Sequence, residues 1–402
     1  MSRSRLRRSV LPALVLVATA GAATALSGSP ASAVTSAPKT IKAASTSPAV
    51  LASISCPSAT FCMAVGAGSA AKATDQLAAE RWDGARWRRL PVAQPPGVTL
   101  PGLQAVACPS STECVAVGSG TKGRPTPTSH LILVAETWTA ATGWTTSQPV
   151  QPGGSFGEFN GISCPTTSRC YAAGDIVDST GQALPLVERW TAGTWARETL
   201  RMPAGASNPS LDAIACPSVG QCAATGGYAT SASTSAGLIE QLSGATWTAS
   251  TAPGSTDGEL YGVSCPTTAA CEAVGSTPSG SLAEHWAGGR WLPAVPAVPE
   301  NTFNAGLNGV SCASATHCVA IGETWLNGGF KQIAYITTLN PSWTVTAQTG
   351  SGFGIASLNA VSCWSTAVKT PSCALLGGGP DPTEPPLSAF LTGTKWTIVP
   401  TV

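Results

Sequence analysis

Charge is scarce in this chain. Asp, Glu, Lys and Arg make up 10% of its 402 residues, against roughly 25% in an average soluble protein. With 43% apolar residues, that composition excludes both a coiled coil and a charge-driven disordered tail. The formal net charge is +1, far from a basic footprint, so nucleic acid is excluded as a partner. Histidine occurs three times. His130, His285 and His317 stand in unrelated contexts, with no Gly-x-Ser-x-Gly elbow and no His-Glu-x-x-His beside them, so these hydrolase and metalloprotease signatures are missing. Beyond residue 33 no apolar run approaches the ~20 residues that span a bilayer. No segment there holds a 3.6-residue apolar period, which argues against helices.

The one sustained apolar stretch, Leu11–Leu26, follows Arg3, Arg5, Arg7 and Arg8 and precedes Ala31-Ser32-Ala33. A basic region, an apolar region and a small-residue cleavage site make residues 1–33 a signal peptide. Without those four arginines the chain from about Val34 has 17 basic against 20 acidic residues, a charge of −3. No cysteine follows the apolar run, so no lipid anchor is expected. The expectation is a secreted, extracellular protein with no membrane insertion after cleavage. Residues 34–50 read as a flexible leader.

Cysteine is what the chain has in quantity: 14 residues, in seven pairs. Six pairs are spaced Cys-x5-Cys: Cys56 with Cys62, Cys108 with Cys114, Cys164 with Cys170, Cys216 with Cys222, Cys265 with Cys271, and Cys312 with Cys318. The seventh, Cys363 with Cys373, is Cys-x9-Cys. First cysteines lie 52, 56, 52, 49, 47 and 51 residues apart, a period typical of propellers, solenoids or arrays. The text around them repeats too, as LQAVACPSSTECVAVGS from Leu103, FNGISCPTTSRCYAAGD from Phe159 and LYGVSCPTTAACEAVGS from Leu260. A second box follows, as ERWDGARW from Glu80, ERWTAGTW from Glu188 and EHWAGGRW from Glu284, with weaker copies ending at Trp144, Trp247, Trp343 and Trp396.

Each unit reads as four short strands bounded by Gly, Pro and Ser clusters. Strand one ends in Ser/Ala-Cys, strand two is Cys-x-Ala-Val-Gly, strand three ends at Glu-x-Trp and strand four starts at the closing Trp. Opposed residues of a non-hydrogen-bonded antiparallel pair have Cα atoms ~4.5 Å apart, within disulfide reach. Each hairpin is therefore expected to carry one bridge, worth roughly 2 kcal/mol by loop closure. Zinc would want Cys-x2–4-Cys with further ligands, and an oxidising compartment favours bridges. No metal and no cofactor is expected.

Seven four-stranded units fit an all-β, seven-bladed β-propeller over residues 51–402. A β-helix or linear array could use the same units, but a ring buries every blade face and so suits the low charge. The first unit opens at strand one and the last ends in strand four, so closure is expected without strand exchange. The Leu-x-x-Val strand, the Ala-Val-Gly strand and the Trp-closing turn resemble the Asp-box (BNR-type) and photosystem-assembly-factor-like propellers. The repeat is also similar to secreted actinobacterial repeat proteins built from VSC…C.AVG…E.W.G..W units. The resemblance covers residues 51–402 and departs from the Asp box in that only Asp83 holds an acidic turn position. It implies a fold and no activity.

Antiparallel order puts the one–two and three–four turns on one face of the ring. The irregular segments Gly120–His130, Gly174–Ala183, Glu323–Lys331 and Gly377–Pro386 then share the other face, where binding is expected. Two residue sets converge there. The position after the strand-one Leu or Phe is Ala52, Gln104, Asn160, Asp212, Tyr261, Asn308 and Asn359. These side chains either ring the channel mouth as ligand-binding groups or satisfy their own local backbone. Phe156, Phe159, Phe303 and Phe353, in the connectors between blades, are either exposed stacking surfaces or inter-blade packing. Glu80, Glu136, Glu188, Glu240 and Glu284 recur in strand three. They lie too far off the axis to share a calcium ion and read as buried acceptors for the next blade.

The best-fitting function is a monomeric, non-catalytic binding module, with an extracellular glycan or another protein as partner. A glycan-cleaving, sialidase-like hydrolase on the same face is the alternative. Asp212 and Glu259 are the acid pair to inspect for it, since glycosidases need carboxyls ~5–9.5 Å apart. A structural coat or matrix protein is the third reading.

Overall fold

The computed structural model describes residues 49–68, 77–123, 129–231, 234–327, 332–349, 355–365, 372–378, 386–392 and 395–402. Among these are twenty-eight strands and no helix, grouped as seven four-stranded antiparallel sheets in simple sequence order. Blades one to seven span residues 50–90, 98–147, 156–197, 207–256, 259–294, 302–348 and 357–400. The first strand of each blade packs against the first strands of both neighbours, and that of blade seven against that of blade one. The sheets thus form a closed seven-bladed propeller with strand one innermost. Among the described residues no strand is exchanged at the closure.

Seven apolar clusters each lie between two adjacent blades, so the core is a set of radial layers. This explains strand two. Cys-x-Ala-Val-Gly is buried on both faces, as in Phe61–Ala67 and Arg169–Val177, and reads as a continuous run of small apolar residues because both faces meet a neighbouring blade. The closing tryptophans seal the outer layers. Trp87 donates its Nε1–H to Ser388 Oγ at 2.9 Å, and Trp195 to Ser147 Oγ at 2.7 Å, each in the preceding blade.

All seven expected bridges are present, one in each blade. Cys56 is bonded to Cys62, Cys108 to Cys114, Cys164 to Cys170 and Cys216 to Cys222. Cys265 is bonded to Cys271, Cys312 to Cys318 and Cys363 to Cys373. Their Cα–Cα distances of 3.9 to 4.1 Å are those of side chains facing each other across a hairpin. The two ends of a bridge differ in setting. The second cysteine of each pair (Cys62, Cys114, Cys170, Cys222, Cys271, Cys318, Cys373) is buried on strand two. Of the first cysteines, Cys164, Cys265 and Cys363 are only half-buried.

The innermost strand has a free edge whose N–H groups need partners. The Ser of the Ser-Cys dipeptide provides them. Ser55 Oγ accepts from Cys108 N, Ser163 from Cys216, Ser264 from Cys312, Ser311 from Cys363 and Ser362 from Cys56, at 2.9 to 3.0 Å. In blades two and four the position is Ala107 and Ala215. The Gly of Ala-Val-Gly has a matching cause. In every blade strand one bulges at the residue after Leu or Phe, which pushes a strand-one carbonyl onto this Gly. A Cβ on Gly66, Gly118, Gly174, Gly226, Gly275, Gly322 or Gly377 would lie 1.8 to 2.1 Å from that oxygen.

Candidate functional site

The polar candidates are the extra residues of those bulges. A β-bulge re-aims a side chain, and Gln104, Asn160, Asp212, Tyr261, Asn308 and Asn359 are all half-buried on the innermost strands. Two of them hold the ring together. Asn160 Nδ2 donates to Leu211 O at 3.0 Å, and Asn359 Nδ2 to Leu51 O at 3.2 Å, each in the following blade. Their amides therefore bond a neighbour's backbone, not their own local backbone as one reading had it. Asn308 has the same position and the same side chain, yet its buried Nδ2 has no hydrogen-bond partner among the described residues.

Around Asn308 lies a cleft of about 290 Å³ between blades five and six. It exists because blade six stands taller than blade five. Strands two and three of blade five meet in a tight turn, with Thr277 opposite Gly280. Strands one and two of blade six instead run 13 and 10 residues, Thr302–Ser314 and His317–Leu326. Ser276 and Thr277 form one wall; Asn304, Asn308, Glu323, Trp325 and Gln332 form the other. Glu323 and Trp325 alternate onto one face of strand two. Trp325 is paired with Phe303 on strand one and Gln332 on strand three. Gln332 Nε2 donates to the Glu323 carboxylate. A half-buried indole beside a carboxylate, amides and hydroxyls suits a ligand with an apolar face and a polar rim.

The phenylalanines divide. Phe303 is 44% exposed, next to Asn304, whose φ of 52° places the chain in the left-handed region beside the cleft. Phe159 is fully buried and stacks on Trp195 with ring centroids 5.8 Å apart. It occupies the position held by Leu in the other blades, so its place in the candidate binding set is corrected to core. Phe156 is half-buried in blade three, away from the cleft. Phe353 lies outside the described residues, as do residues 1–48.

The strand-three glutamates are fully buried. They do accept backbone bonds, but from the preceding blade and not the next. Val402 N donates to Glu80 at 3.1 Å, Val150 N to Glu188 at 3.0 Å and Gly254 N to Glu284 at 2.6 Å. Glu136 accepts from Thr146 of its own blade at 2.9 Å, and Glu240 has no partner on either oxygen among the described residues. Burial pushes Glu80, Glu136 and Glu188 up to about 7 and Glu240 up to about 8. Asp83 behaves oppositely at its exposed turn. The Arg88 guanidinium and the amides of Arg86 and Ala85 hold it down to about 2.

Asp212 and Glu259 both sit near Tyr261. Burial raises the Tyr261 phenol, with the two carboxylates adding to the effect. Neither acid lines the cleft. A phenol held in its neutral form is a weak nucleophile. Among the described residues no group of His, Cys, Asp and Glu is arranged to hold a metal ion, and no helix is long and apolar enough to cross a membrane.

Trp325, Glu323 and Gln332 were not singled out as site residues from the sequence, although Glu323 and Trp325 fall in the Glu323–Lys331 segment of the expected binding face and a further signal existed. Of the 13 tryptophans, all but Trp325 and Trp364 belong to the repeated boxes. Trp364 is buried in the blade seven–one core. Trp325 is thus a tryptophan the repeat does not require.

No protein-family model and no curated protein matches this chain. Its fold is similar to that of solved propellers. The structure of a GH74 xyloglucanase from Xanthomonas campestris aligns with a TM-score of 0.51 and 12% identity, covering 89% of this chain and 52% of that one. This chain therefore spans about half the length of that enzyme. YCF48 bound to D1 peptide aligns with a TM-score of 0.44 and 16% identity over 77% and 84% of the two chains. The fucose-specific lectin from Aleuria aurantia aligns with a TM-score of 0.43 and 10% identity over 88% and 96%. At these identities the likeness is one of propeller architecture.

Proposed function

We propose that this protein is a secreted, monomeric, non-catalytic binding module whose loop-rich face takes an extracellular glycan at the cleft between blades five and six. One observation carries the reading. Asn308 keeps the side chain that Asn160 and Asn359 use to join blades, but its buried amide is unpartnered and lines a cleft that also holds Trp325. A sugar answers each feature. Its C–H face packs on the indole, and its hydroxyls bond Asn308, Glu323 and Gln332. Seven disulfides and the N-terminal signal support an extracellular setting. The hydrolase alternative has less support, because Asp212 and Glu259 do not face each other across this cleft.

The test is co-sedimentation of the purified mature protein with insoluble cell wall, chitin and cellulose. Pelleting with at least one polymer, reversed by soluble oligosaccharide, is expected. Protein that stays in the supernatant with all three removes the glycan reading. Self-association without ligand would favour the coat or matrix alternative.

A further inference from the structure

The polar cleft has a less polar neighbour, in which Ser279, Ser281 and Thr302 stand beside apolar side chains. A second hollow of about 230 Å³ adjoins it and shares Asn304 and Ala305 as a common wall. Its other side carries Val295, Pro296, Val298 and Phe303. Val295 is 90% exposed and Val298 41%, on the connector between blades five and six. Pro296 and Pro299 punctuate that connector and stiffen it by fixing φ. Nothing in the repeat requires these apolar side chains at the surface. Val295, Pro296, Val298 and Phe303 line a hollow directly beside the site where a hydroxylated ring would sit.

A plain sugar fills only the polar half. A ligand that fits both halves has a hydroxylated ring joined through a short polar link to a small apolar group. The acetamido group on an amino sugar has that composition. Its methyl group gains from burial beside Val298 and Phe303, and its amide can exchange hydrogen bonds with Asn304 at the shared wall. We infer that the paired clefts form one site for an N-acylated amino sugar, with the pyranose ring on Trp325 and the acyl group against Phe303 and Val298. The inference rests on the glycan-binding reading above and narrows it to a substrate class.

Three β-1,4-linked trimers that differ only at C2 provide the test: chitotriose carrying N-acetyl groups, its de-N-acetylated form, and cellotriose. Each is titrated calorimetrically into the mature, disulfide-bonded protein. The N-acetylated trimer is expected to bind at least about tenfold more tightly than the other two. Phe303→Ser, at an exposed position, is expected to bring its affinity to within about twofold of cellotriose, with the thermal unfolding transition unchanged. Equal affinities for N-acetylated trimer and cellotriose would overturn the acyl preference and leave the glycan reading standing. Tightest binding of the de-N-acetylated trimer would overturn it too, pointing to charge recognition by Glu323. No binding of any trimer by the folded protein would bring down both.

Discussion

Ser362 Oγ accepts the amide N–H of Cys56 at 2.9 Å and so joins the last blade to the first across 306 residues of chain. The same bond recurs at four other blade boundaries. Closure therefore uses the device that joins ordinary neighbours. Ser362→Ala should lower stability by about 1 kcal/mol, the usual value of one such bond. Ala107→Ser should supply the missing hydroxyl between blades two and three and raise it by a similar or smaller amount. Urea midpoints at constant slope measure both. If Ser362→Ala leaves the midpoint unchanged, the seam is held by apolar packing alone.

Gly275 faces the carbonyl of Glu259 so closely that a Cβ would lie 1.9 Å from the oxygen. Gly275→Ala must displace backbone in a packed strand and should cost roughly 3 kcal/mol or more. The yield of soluble, fully bridged protein and its unfolding midpoint report the loss. A stable, fully bridged variant would mean that the bulge beside Tyr261 is not fixed.

Leu100 sits at φ 50°, eight residues before Cys108, where blades four, five and six place Asn208, Asp257 and Asn304 at φ 45°, 58° and 52°. Asn and Asp tolerate the left-handed region, whereas a larger side chain is penalised by roughly 1–2 kcal/mol. Leu100 is also 47% exposed, so little burial is lost on replacement. Leu100→Asn should stabilise by about 1 kcal/mol, read as a higher thermal midpoint. A lower midpoint would assign Leu100 a packing role.

Burial raises Glu80, Glu136 and Glu188 from the ordinary value of 4.5 to about 7, and Glu240 to about 8. Between pH 4.5 and 8 the unfolded chain loses these protons first. The native state then binds more protons than the unfolded state, and stability falls as pH rises. Their contribution is fully present below about 4.5 and lost by about 8. Stability should therefore be greater at pH 5 than at pH 8. Glu240→Gln should flatten the slope by up to about 1.4 kcal/mol per pH unit in that window. Urea titrations at about pH 5, 6.5 and 8 provide the comparison. A slope of the opposite sign would mean that the glutamates are ionised in the fold.

The fold was legible because the repeat is dense. Cysteine spacing, Ala-Val-Gly and Glu-x-Trp each mark a strand. The reasons behind these residues were not legible, because they lie between blades. The Ser of Ser-Cys serves a backbone amide about fifty residues later in sequence, and the Gly of Ala-Val-Gly answers a bulge on its partner strand. The candidate site was half legible. Asn308 was found as a recurring position of the repeat, and Phe303 as an aromatic of a connector between blades. Trp325 and Gln332 lie at the facing ends of strands two and three of blade six, beyond the repeated boxes, and only the height difference between blades five and six makes a cleft of them. Phe159 misled because a Phe in the Leu position has the same sequence setting as a connector aromatic.

One comparison decides whether that cleft is where the protein binds. Wild-type protein and Trp325→Ala, matched for unfolding midpoint and disulfide content, are sedimented with the polymer that retains the wild type best. Loss of the indole should lower the apparent affinity at least about tenfold, leaving most of the variant in the supernatant. Equal pelleting of the two proteins would contradict the assignment and place binding elsewhere on the propeller.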